Sequence, residues 1–80
     1  MTMNYRIEYR DFVTGTYMFW AEVCHQEMAE DIARECVDHP PMIGMKYFRV
    51  ISNPRNNGPD YSPENNGGVV VWAGKSKQSV

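Results

Sequence analysis

Four side chains able to hold a metal lie close together in sequence: Cys24, His25, Cys36 and His39. A zinc site needs all its donors within about 2.0–2.3 Å of one ion. The stretch between the two pairs reads as a helix, and eleven or more residues at helical rise set them roughly 16 Å apart. One ion cannot reach both pairs, so no metal or other cofactor is expected. Cys24 beside His25 has the composition of a thiolate–imidazole pair, but neighbours at a strand end point away from each other. No loop offers the paired N–H donors of an oxyanion hole. Gly74-Lys75-Ser76 ends like a phosphate-binding loop, yet the required earlier glycine falls on Val69, with Gly68 one position too early, and no helix follows. Glu27, Glu30 and Asp31 are close enough for paired-carboxylate chemistry, although a solvated helix face accounts for them more simply. These residues point away from an enzyme.

The elements that position them follow from periodicity. Met3, Tyr5, Ile7 and Tyr9 alternate with Asn4, Arg6, Glu8 and Arg10, the period of a half-buried strand. A turn around Gly15 leads to a second strand, Tyr17 to Val23, rich in aromatic and β-branched residues. Both of its faces are apolar, so Glu22 has to set the parity. With Glu22 in water, Tyr17, Phe19, Ala21 and Val23 face the core, and Met18 and Trp20 share the outer face. A helix is predicted over about 25–38, with Met28, Ala29, Ile32, Ala33, Cys36 and Val37 forming one stripe. It lacks a good N-cap and stops at His39-Pro40-Pro41. Strands at about 46–52 and 69–73 complete the order β-β-α-β-β. This is an α+β two-layer sandwich, an antiparallel sheet with one helix on one face. Residues 53–68 hold five Asn, three Pro and three Gly and read as a long irregular loop; 75–80 read as a flexible tail.

The chain has 80 residues, 42% hydrophobic and 22% charged, which suits one small domain spanning 1–80 and excludes a coiled coil or full disorder. Two cysteines and no apolar leader at the N-terminus lead to the expectation of a cytoplasmic protein. No apolar run is long enough to span a membrane. The net charge of −2 speaks against a duplex-DNA binder held by phosphate contacts. That charge is polarised: His25 to His39 carries −4, leaving +2 on the rest. One helix covers one sheet face only. The other is expected to present Arg6, Arg10, Met18, Trp20 and Glu22, the residue types of interface hot spots. Glu27, Glu30 and Asp31 form an acidic second surface.

The alternating start NYRIEYRD, the helix QEMAEDIAREC and the strand KYFRVI make this chain similar in size and layout to small phage-encoded anti-CRISPR proteins. The resemblance covers most of the chain as a pattern and transfers no functional residue by position. It implies a non-enzymatic inhibitor acting in the host cytoplasm. Such a protein would bind a subunit of a CRISPR effector complex and block target-DNA binding or nuclease recruitment. Two other readings follow from the residues themselves. One is a single-stranded nucleic-acid binder using the aromatic and arginine side chains of the sheet. The other is a homodimer in which two uncovered sheet faces meet.

Overall fold

In the computed structural model, which describes residues 4–52 and 68–76, the chain runs β1 (Tyr5–Arg10), β2 (Tyr17–Val23), α1 (Gln26–Asp38), β3 (Tyr47–Ser52) and β4 (Val69–Lys75). The four strands form one antiparallel sheet in the order β2-β1-β3-β4. Strands β2 and β3 both flank β1, so the connection through α1 carries the chain across β1. This is the expected α+β two-layer architecture. No described helix is long and apolar enough to cross a membrane.

The core lies between α1 and the two central strands. Ala29 and Ala33 are fully buried against Tyr5, Ile7 and Val50. Their small side chains let the helix approach the sheet closely, and Ile32 reaches into both halves of the core. Cys36, Met45 and Phe48 close the other half, with Tyr9 and Trp72 packed against them. Met28, although on the helical stripe, stays half exposed near the start of the helix. His25 caps α1 without a side-chain hydrogen bond, and at the far end the His39 N–H donates to the Glu35 carbonyl at 2.8 Å.

Two features differ from the sequence reading. Strand β2 carries a β-bulge: Ile7 pairs with Ala21, but Glu8 pairs with Phe19, leaving Trp20 as the extra residue. A bulge reverses facing from that point on. Ala21 and Val23 pack into the core and Glu22 faces outward opposite Arg6, as the parity argument has it. Tyr17 and Phe19, however, turn to the outer face, and Met18 and Trp20 lie on the helix side. The second correction concerns the tail. Lys75 belongs to β4, and Ser76 is buried with its N–H donating to the Lys46 carbonyl at 2.6 Å. Residues 77–80, and the proposed loop up to residue 67, lie outside the described residues.

Gly74 has a packing role that its place in a phosphate-loop-like triad does not suggest. A Cβ there would sit 2.5 Å from Cη2 of Trp72, whose ring lies across it. Glycine is what lets the Trp72 ring lie flat on β4.

Candidate functional site: a charged sheet face and an apolar end

On the face away from the helix, the register brings Arg6, Glu8, Arg10, Tyr17, Phe19, Tyr47 and Arg49 together. Glu8 is only 1% exposed, and its two oxygens meet Arg6 Nε at 2.9 Å and Arg49 Nε at 2.8 Å. Arg49 Nε donates a hydrogen bond to Glu8. Each guanidinium also lies over a ring: Arg49 over Tyr17 at 3.8 Å, Arg6 over Phe19 at 4.8 Å. A buried carboxylate needs this degree of compensation, because an unpaired one costs several kcal/mol. The bulge supplies it by turning Tyr17 and Phe19 outward onto the arginines. With Glu8, Arg49 and Ile51 all buried, the middle of this face is not the uncovered surface that parity alone suggests.

The exposed apolar surface is at one end. The six-residue β1–β2 turn closes with Asp11 N–H donating to the Thr16 carbonyl and Gly15 N–H to the Asp11 carbonyl, both at 2.8 Å. Gly15 adopts a φ of 74°, where side chains are disfavoured. The Asp11 carboxylate accepts from the Val13 N–H at 2.8 Å, which stiffens the tip and turns Phe12 and Val13 outward. Opposite it, the α1–β3 turn passes through Gly44 at φ 95° and is held by Met45 N–H to the Met42 carbonyl at 3.2 Å. The Phe12 ring rests on Gly44, where a Cβ would meet it at 2.9 Å. Phe12, Val13, Met42 and Ile43 are 76, 75, 64 and 83% exposed.

Between the two turns lies a groove of about 440 Å³ lined by Arg10, Asp11, Phe12, Gly15, Ile43, Gly44, Lys46 and Tyr47. A smaller one beside it adds Tyr9, Met42 and Met45. Tyr9 links this end to strand β2: it pairs with Met18 and makes an edge-on ring contact with Trp20 at 6.1 Å. Because β2 is an edge strand and α1 lies over the central pair, Met18 and Trp20 remain partly exposed.

The expected site residues therefore fall into groups. Arg6 is tied to Glu8 and Phe19; Arg10 lines the groove; Glu22 is exposed on the outer face; Met18 and Trp20 join the apolar end. On the helix, Arg34 pairs with Glu30 at 3.1 Å and with Asp31 at 3.4 Å, and Gln26 also donates to Glu30. Those two acids are thus partly neutralised locally, while Glu27 stays exposed. Cys24 is exposed and Cys36 buried; burial, with the Glu35 carboxylate beside it, pushes the Cys36 thiol pKa up. No cluster of three or more metal-capable side chains occurs among the described residues. Sequence reasoning missed Phe12, Val13, Met42 and Ile43. The available signal was four large apolar residues inside turn segments, where neither strand nor helix periodicity gives them a core to enter.

No protein-family model matches the chain, and neither the curated proteins nor the solved structures contain a match to it.

Proposed function

We propose that this domain is a non-enzymatic protein-binding module that docks through its apolar end. The observation that carries the reading is the continuity of Trp20, Tyr9, Phe12, Met42 and Ile43 across two hydrogen-bonded turns and an edge strand. Apolar patches of this kind, rimmed by charge, mark partner surfaces. Together with the pattern resemblance, the specific form of the proposal is an anti-CRISPR inhibitor that binds a CRISPR effector subunit in the host cytoplasm. Single-stranded nucleic acid fits less well, because the outer-face rings of Tyr17, Phe19 and Tyr47 are each already faced by a cation rather than left open to bases.

The test is capture from a nuclease-treated bacterial lysate that contains an active CRISPR system. Stoichiometric effector subunits should be retained by the parent protein. Trp20→Ala should keep the fold and weaken that binding by about 2 kcal/mol or more, as a hot spot does. Retention of nucleic acid alone, in samples without nuclease, would transfer the assignment to the single-strand reading.

A further inference from the structure

The groove at the apolar end is not neutral. Arg10 and Lys46 line it, and Lys75 stands beside them: the Arg10 guanidinium lies 5.3 Å and Lys75 Nζ 5.5 Å from the centroid of the same Tyr47 ring. Among the described residues, the ion pairs engage Arg6, Arg34 and Arg49, and none engages Arg10, Lys46 or Lys75. The one acid lining the groove, Asp11, is turned to the Val13 N–H of its own loop. Three cations that pair with no carboxylate among the described residues thus border a cavity whose walls are Phe12, Ile43 and the Gly44 backbone; Arg10 Nε donates only to the Gly15 carbonyl, at 3.3 Å.

We propose that this groove receives a linear segment of a partner protein in which a large apolar side chain is flanked by Asp or Glu. The apolar side chain would enter between Phe12 and Ile43, and the flanking carboxylates would meet Arg10, Lys46 and Lys75. The cavity is of a size for one such side chain with its neighbouring backbone. The stacking of Phe12 on Gly44 holds the wall in place before binding, which lowers the ordering cost. Charge complementarity selects an acidic segment over a basic or neutral one, and adds a salt-dependent component to affinity. A nucleic-acid strand matches the charge but not the site, because the Tyr47 ring is engaged by two cations and Ile43 is aliphatic. The inference rests on the docking reading of this end and gives its partner a chemistry.

The experiment is selection of a random twelve-residue peptide library on the intact protein, followed by NMR mapping of the enriched peptides. Enriched sequences should carry a large apolar residue beside Asp or Glu, shift the amides of Phe12, Ile43, Gly44 and Lys46, and bind more weakly as salt rises. Binding should fall at least tenfold in the Lys46→Glu/Lys75→Glu variant. Both lysines are exposed, so the fold should persist, and unchanged amide spectra elsewhere would confirm that. Peptides that map to the groove but lack acids, or are indifferent to the lysine variant, would overturn the acidic-segment inference and leave the docking surface standing. Peptides that map elsewhere, or no enrichment, would remove both. Tight binding of a dT12 oligonucleotide in the groove, or self-association abolished by the lysine variant, would overturn it in favour of nucleic acid or a second copy of the chain.

Discussion

The outer face of the central strands and the apolar end both combine arginine with aromatic residues, yet they differ in whether the positive charges meet a carboxylate. On the sheet, Glu8 is matched by Arg6 and Arg49, and the guanidiniums are matched by Phe19 and Tyr17. At the end, Phe12, Val13, Met42 and Ile43 are exposed, and Arg10, Lys46 and Lys75 meet no carboxylate among the described residues, Arg10 and Lys75 resting instead on the Tyr47 ring. The first arrangement holds the fold together. The second is available to another molecule. Residue type alone does not separate them; a buried carboxylate between the cations does.

The largest effect should come from breaking the satisfied region. Glu8→Ala leaves two guanidiniums facing one another, one of them deeply buried, and should lower stability by about 3–5 kcal/mol in urea unfolding. Replacing Arg6, Glu8 and Arg49 together by apolar residues of similar volume should recover much of that loss. A near-neutral Glu8→Ala would erase the contrast between the two regions. Next is Gly74→Ala, whose methyl group would collide with Trp72; about 1–3 kcal/mol should be lost, with a change in tryptophan fluorescence. By comparison, Ile43→Asp at the exposed end should alter stability by no more than about 0.5 kcal/mol while abolishing partner capture. A strongly destabilised Ile43→Asp would place that residue with the fold instead. The smallest effect concerns the thiols: at pH 8 Cys24 should react with iodoacetamide promptly. Cys36, protonated by its raised pKa and shielded, should react only as the chain opens.

Much of the architecture was legible in the sequence. The alternation in Tyr5–Arg10 marks a strand with one buried face, and the Ala29-Ile32-Ala33-Cys36 stripe marks a helix with one. The prolines after His39 mark its end. Strand β2 shows where this reasoning stops. Its residues are apolar on both faces, so the pattern holds no trace of an extra residue, and Glu22 fixes parity only as far back as Ala21. Beyond the bulge, the facing of Tyr17 to Trp20 depends on what lies across the strand pair. Glu8, once buried, requires arginines on either side and rings above them, a demand that no local window in β2 contains.

The candidate site divides in the same way. Sequence picked out Trp20 and Arg10, because tryptophan and arginine are distinctive wherever they stand. It did not pick out Phe12 or Ile43, which are 31 positions apart and meet across one groove only because the β1–β2 and α1–β3 turns emerge at the same end of the sheet. Element types and order follow from short-range periodicity, which backbone geometry imposes on any window of the chain. Facing beyond a bulge, burial of a charge and the meeting of two turns depend on contacts between distant segments, and only the folded chain decides them.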